Sequence, residues 1–297
     1  MSKENRLDKF KNEYLGRGLS TVCGYLIVFI TMIILLFITM KGLNLFIKNK
    51  YPLSSFLLST IWNPESKSPQ FGAIIFLVGS ILVVLGSIIV STPLSIALAI
   101  FINVISPKMG EKILKPAMEL FVGIPSVVYG WLGITVLIPM LKGVFGGVGF
   151  GLLASIIVLS IMILPTITSI SSDAVKAIPK RYIEASYGLG ATRWQTIIKV
   201  IIPSAKSGIL TAIVLGMARA FGEALAVQMV IGNSIKLPKG IYDTTSTLTS
   251  IITMDMANTI FGTSWNNALW SLAFLLVIIS FVFIIVLKVI ARRSDVR

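Results

Sequence analysis

A chain of 297 residues that is 55% hydrophobic and only 13% charged falls far below the charged share of about 25% found in soluble domains, so its composition belongs in a bilayer. The net charge of +14 does not make it a nucleic-acid binder, because the Lys and Arg sit in short clusters at the ends of apolar runs, as orientation signals do. With no histidine and a single cysteine, Cys23, a histidine-ligated metal site, a Ser-His catalytic pair and an intrachain disulfide are all excluded.

Residues 1–18 read as a basic tail carrying Lys3, Arg6, Lys9, Lys11 and Arg17. No small-residue cleavage site follows the first apolar run, which is therefore expected to be kept as a membrane span. That span is predicted at about 20–46, with Cys23 as a small buried hydrophobe, followed by a polar, Pro-containing loop at about 47–70. Residues 71–105 are too few for two crossings of about 20 residues each plus a turn. They are predicted to form one tilted helix, kinked or broken near Pro93. Further spans are predicted at about 116–141, 150–171, 205–231 and 267–288, with Gly-rich residues 143–151 linking the third to the fourth. A loop of roughly 35 residues precedes the last span and carries Asp243, Asp255 and a run of Thr and Ser. Such loops are usually solvated.

Between the fourth and fifth spans lies the one long polar stretch that reads as ordered helix, IPKRYIEASYGLGATRWQTIIKVIIP at 178–203. Pro179 is suited to a first helical position. Gly188 and Gly190 are suited to a helix exit, which often needs the left-handed conformation. Thr192 with Gln195 three residues on predicts a capping box opening a second helix, and Pro203 marks a break before the next apolar run.

Six spans put both termini on one side, and the basic residues test which side. Eighteen of the 26 Lys and Arg fall on the side of the termini and of residues 178–203, seven fall on the other, and Arg219 lies within the membrane. The excess places the termini in the cytoplasm.

Arg219 and Glu223, in MARAFGEALAV, lie deep in the fifth span, four residues apart and so on one helical face. An ionised side chain in hydrocarbon costs about 3 kcal/mol on insertion scales and marks a transport path by default. A self-neutralising pair that only fixes packing is the competing reading, although Arg before Glu is the weaker order for a local pair. For an anionic solute, Arg219 supplies the positive charge, and Glu223 holds it or excludes other anions. Glu119 is either a second such carboxylate or an interface residue paired with Lys115. Ser126 and Tyr129, in GIPSVVYG, are placed to hydrogen-bond an oxyanion. Pro125 is placed to break the helix and free backbone N–H groups at a half-helix start; small polar residues also serve plain packing in membrane helices.

Glu184-Ala185-Ser186, then Gly190, then Val200-Ile201-Ile202-Pro203 resembles the EAA loop of ABC-importer permeases, with Ser186, Val200 and Ile202 replacing alanine, isoleucine and leucine. Together with GIPSVVYG at 123–130 and ARAFGEALAVQMVIGN at 218–233, the chain looks like a permease subunit of the phosphate-specific (Pst) ABC importer, on the PstC rather than the PstA side. The resemblance implies an all-α polytopic protein of six transmembrane helices with the type I importer permease fold. It implies a first span and external loop over 19–70, a permease core over 71–290, coupling helices at about 179–203 and a tail at 291–297. It also implies a PstA-like second permease, two ATP-binding subunits that dock on Glu184, Ala185, Ser186, Gly190 and Pro203, and an external phosphate-binding protein. No cofactor or metal is expected. Because residues 143–151 lack the GK[ST] ending of a nucleotide loop, no ATP site is expected in this chain, and hydrolysis is expected from a separate subunit; no catalytic residue is expected here. Permeases for sulfate or molybdate share the coupling loop but not the other two segments together. An ion-coupled secondary transporter would use Glu119 or Glu223 as its proton site and need no ATPase.

Overall fold

The computed structural model describes residues 16–295, with side chains to 289. Most of the N-terminal basic tail and Arg297 therefore lie outside the described residues, as do the side chains of Arg292 and Arg293. The described chain is helical apart from one two-residue ladder.

Helix α1, Gly16–Ile47, spans 32 residues, about 48 Å and longer than a bilayer core. Residues 16–37 are exposed, and Cys23 with them. The expectation of a buried cysteine is thus corrected; at Phe37 α1 meets Trp270 of the last helix, ring centroids 5.3 Å apart. Its far end meets the last helix, where Gly42 is required, because a Cβ there would stand 2.5 Å from the Phe274 Cβ.

The stretch expected to be a polar loop is instead a folded cap. It comprises α2, Leu53–Leu58, and strands β1, Trp62–Asn63, and β2, Gln70–Phe71, paired antiparallel. Phe56, Trp62 and Phe71 are buried with Leu45, Leu248 and Leu269. Aromatic side chains bury enough area to hold so short a ladder.

Helix α3, Ile74–Ile100, continues as a π turn over Phe101–Ile105. It crosses once, as expected, but runs through Pro93 without a break. Pro93 is exposed.

The third apolar run does break. Helix α4, Lys115–Gly123, stops at Ile124 and Pro125, both extended, and α5, Ser126–Leu132, begins anew, leading through a π turn into α6, Ile138–Phe145. Proline disfavours helical dihedrals at the residue before it, which is why the break falls at Ile124. The apolar span here is Ser126–Phe145, displaced along the chain toward its C-terminus from the predicted 116–141.

Helix α7, Leu152–Lys176, is the most buried span and holds Pro165 well inside it. It pairs with α3 at a constant offset. Ser87 Oγ donates to Ile156 O at 3.2 Å, Ser95 Oγ to Leu164 O at 3.1 Å, and Asn103 Nδ2 to Ser172 O at 3.2 Å, each partner 69 positions along. A constant offset means that the two helices run in the same direction, so one crossing, α5–α6, lies between them.

Next come two short helices, α8, Lys180–Gly188, and α9, Arg193–Thr196, and then α10, Lys206–Gly222, α11, Leu225–Val230, and α12, Leu248–Asp255. The last helix, α13, covers Ser264–Asp295. It is antiparallel to α1: Ser271 Oγ donates to Gly42 O at 2.6 Å, and Asn267 Nδ2 to Asn49 Oδ1 at 2.9 Å. Five helices are long and apolar enough to cross by themselves. The direction of α13 decides the sixth. With only α3, α5–α6 and α7 between them, α1 and α13 would be parallel; their antiparallel packing requires a fourth crossing. That crossing is α10, which is bent by 67° from Arg193–Ser204 at Ala205.

The long loop before the last span is not solvated as expected. Thr245, Ser246, Thr247 and Leu248 are buried. Leu248 N–H donates to Ser80 Oγ at 2.9 Å, and Ser246 Oγ to Ser234 O at 3.1 Å. The loop satisfies its own backbone and packs against the N-terminal end of α3, where Gly79 leaves room for the Ser246 carbonyl. A Cβ on Gly79 would lie 2.2 Å from that oxygen. Gly79→Val is therefore expected to cost about 3 kcal/mol, as overpacking of a filled core does. A detergent-solubilised variant that melts at the wild-type temperature would show that the contact yields.

Candidate functional site

The polar hairpin 178–205 forms as its residues dictate. Pro179 is the N-cap of α8 rather than its first residue. Gly190 has φ +79°, the left-handed conformation that favours glycine. Thr192 and Gln195 close the expected box: Thr192 N–H donates to Gln195 Oε1 at 2.8 Å, and Gln195 N–H to Thr192 Oγ1 at 3.3 Å. Ser186, which stands where the motif has alanine, uses its hydroxyl: it lies 2.9 Å from the Thr196 hydroxyl in a buried contact that clamps α8 to α9. The chain then passes through a π turn, Ile197–Ile201, and a short helical turn, Ile202–Ser204, that holds Pro203. The predicted break falls two residues later, at Ala205.

The inner side of the hairpin is apolar: Ile197 and Ile201 pack with Ile100 of α3 and with Val175 and Ile178 at the end of α7. The outer side leaves large side chains bare, Leu189 at 90% and Trp194 at 70% exposure, with Tyr182 and Tyr187 close to half exposed. Glu184, Ala185, Gly190 and Pro203 lie on the exposed surface as well, whereas Ser186 is buried. A bare apolar and aromatic face on a rigid hairpin has the character of a docking surface.

The second site lies where two spans break side by side. Helix α10 ends at Gly222, and Glu223 is extended with ψ 124°. The expectation that Arg219 and Glu223 share one helical face is therefore corrected: helical geometry stops between them. Glu223 Oε1 accepts the N–H of Ala226 at 2.9 Å, capping the start of α11. Arg219 Nη1 donates to Thr166 Oγ1 of α7 at 2.6 Å. Among the described residues, no carboxylate lies within ion-pairing distance of Arg219.

Helix α11 rests on α5, with the Gly130 Cβ position 3.1 Å from the Ala226 Cα. The third-span and fifth-span breaks are thus neighbours. Tyr129 is buried, and its hydroxyl donates to Phe121 O at 2.7 Å, spanning its own break. Its oxygen stays free to accept, but its proton is already committed. Ser126 is half-buried at the start of α5. Below Thr166, toward the hairpin end of α7, a cavity of about 270 Å³ is lined by Lys115, Glu119, Thr168, Ser169, Ser172 and Asp173. Glu119 faces it without pairing with Lys115. Sequence reading missed Thr166, Ser172 and Asn103. Nothing marks a threonine or asparagine as a tie point until the helices are packed.

Residues 91–296 match the family described as binding-protein-dependent transport system inner membrane component. The chain is 48% identical over 293 residues to the Bacillus subtilis (strain 168) "Probable ABC transporter permease protein YqgH", covering 98% of this chain and 95% of that one. It is 33% identical over 263 residues to the "Phosphate transport system permease protein PstC" of Mesorhizobium japonicum, covering 82% and 80%. The PstC of Haemophilus influenzae is 31% identical over 261 residues, covering 81% and 82%. Among solved structures, a bacterial alginate ABC transporter chain aligns with a TM-score of 0.63 at 18% identity, over 95% of this chain and 98% of that one. A chain of the inward-facing MetNI methionine ABC transporter aligns with a TM-score of 0.56 at 21% identity, over 75% and 94%. At such identities the likeness establishes the fold alone, which is all-α and polytopic.

Proposed function

The chain belongs to the family of binding-protein-dependent transport system inner membrane components, and from that membership we propose that it is one permease half of an ATP-driven importer that moves inorganic phosphate into the cell. The observation that carries this reading is Arg219. Its guanidinium sits at a break between spans, held by one neutral hydroxyl and, among the described residues, by no carboxylate. A cation in hydrocarbon without a counter-ion is costly, and a transient anion relieves that cost. Glu223 is occupied with the Ala226 N–H; it shapes the break beside Arg219 and repels anions that approach off the path. Tyr129 and Ser126, on the neighbouring break, supply an acceptor and a hydroxyl for a partly protonated oxyanion. The PstC relatives favour phosphate over other oxyanions.

In this reading a PstA-like second permease completes the path, and an external binding protein delivers the anion. Two ATPase subunits grip the bare face around Leu189, Glu184 and Gly190, so hydrolysis is theirs. The hairpin and both termini then lie in the cytoplasm; labelling of the hairpin by an impermeant reagent from outside only would reverse that. The deciding experiment is uptake of labelled phosphate by the assembled complex in proteoliposomes. ATP-dependent uptake that excess sulfate and molybdate leave unchanged is expected. Equal or stronger competition by either one would assign the chain to another oxyanion. Uptake without any ATPase subunit would make it a secondary transporter.

A further inference from the structure

Arg193 is exposed, yet its guanidinium is turned inward. Nη2 donates to Val104 O and, at 2.9 Å, to Ile105 O, the last two carbonyls of the π turn that ends α3. The last carbonyls of a helix have no partner within it, and a cation there is favoured by the helix dipole. One residue back, Asn103 Nδ2 reaches Ser172 O at 3.2 Å and Ser172 Oγ at 2.7 Å, joining α3 to α7. Six residues back along α7, Thr166 receives Arg219 at 2.6 Å. Polar contacts at the two ends, Arg193 and Asn103 on one side and Thr166 with Arg219 on the other, are thus joined through the helical segment of α7 between Thr166 and Ser172.

We propose that Arg193 is the positioning residue by which movement of the hairpin is passed to the α3–α7 pair, and so to the break that holds Arg219. The buried isoleucines between hairpin and α3 resist separation, but apolar contacts are non-directional. The forked hydrogen bond fixes where the hairpin stands on the end of α3. The proposal rests on an ATPase subunit gripping the hairpin and not on which anion is carried.

The test uses the whole complex with Cys23→Ser and Ser169→Cys, which puts one thiol on the exposed wall of the cavity below Thr166. Its labelling rate by maleimide is compared with and without trapped ATP. A change of about tenfold is expected with Arg193 intact, within the usual range of site-to-site coupling. Arg193→Gln is expected to reduce that change to about twofold or less while the ATPase subunits stay bound and hydrolyse ATP. Arg193→Lys, which still offers a charged donor to the same carbonyls, is expected to restore most of it. Asn103→Leu, severing the next contact along, is expected to act as Arg193→Gln does. A full change with Arg193→Gln or with Asn103→Leu overturns the proposal. So does loss of the ATPase subunits from Arg193→Gln, which would make Arg193 a docking contact. Labelling needs no transported anion, so a failed phosphate assignment and a failed strut give separate results.

Discussion

Arg219→Ala is expected to abolish uptake while leaving the complex assembled. Two magnitudes decide why these separate. The fold loses one hydrogen bond from a charged donor to Thr166, worth about 1.5–3 kcal/mol. It also sheds the cost of keeping a guanidinium in hydrocarbon, about 3 kcal/mol on insertion scales. The two nearly cancel, so the variant assembles. The anion has no such compensation: it loses its counter-charge at the point where it must leave water. A penalty of about 3 kcal/mol there lowers uptake more than a hundredfold. Thr166→Val keeps the charge but frees the side chain, and is expected to raise the half-saturating phosphate concentration several-fold at unchanged maximal rate. Labelled-phosphate uptake and co-purification of the subunits read both outcomes. Normal uptake by Arg219→Ala would take this residue off the path.

The parts of this fold that were legible in the sequence are those fixed by local chemistry. The hairpin could be read because Thr192 and Gln195 cap each other and Gly190 needs its own dihedral. The third-span break could be read because Pro125 restricts Ile124. The fifth-span break could not. GEALAV contains no proline, and only a carboxylate bent back onto the Ala226 N–H reveals that the helix has stopped at Gly222. That is a tertiary event, and it separated two charges that periodicity alone put on one face. Polarity misled in the same way outside the membrane. A run of Thr and Ser reads as solvated, yet here those hydroxyls satisfy the loop's own backbone and let it be buried. Of the kink or break expected at Pro93, the break does not occur: the helix continues through it. The 69-residue register between α3 and α7, and with it the route from Arg193 to Arg219, has no local signature at all.

Gly190→Trp is expected to leave the permease folded and to disconnect it from its motor. A Cβ on Gly190 would meet nothing within 4 Å, so added bulk points away from the protein and costs the fold little. The backbone is the only internal obstacle: at φ +79° an L-residue pays about 1–2 kcal/mol, less than the whole stability of a domain. Gly190→Ala carries that strain without the bulk and serves as the control, expected to lower the melting temperature slightly and to keep the ATPase subunits. Tryptophan adds a ring to the exposed side, beside Leu189 and Trp194, where a partner must seat closely. Loss of the ATPase subunits from the purified complex, or hydrolysis that no longer drives uptake, is the expected result for Gly190→Trp alone. If the tryptophan variant keeps its subunits and imports at the alanine variant's rate, the face around Gly190 is open to solvent in the assembled importer, and the motor grips the chain elsewhere.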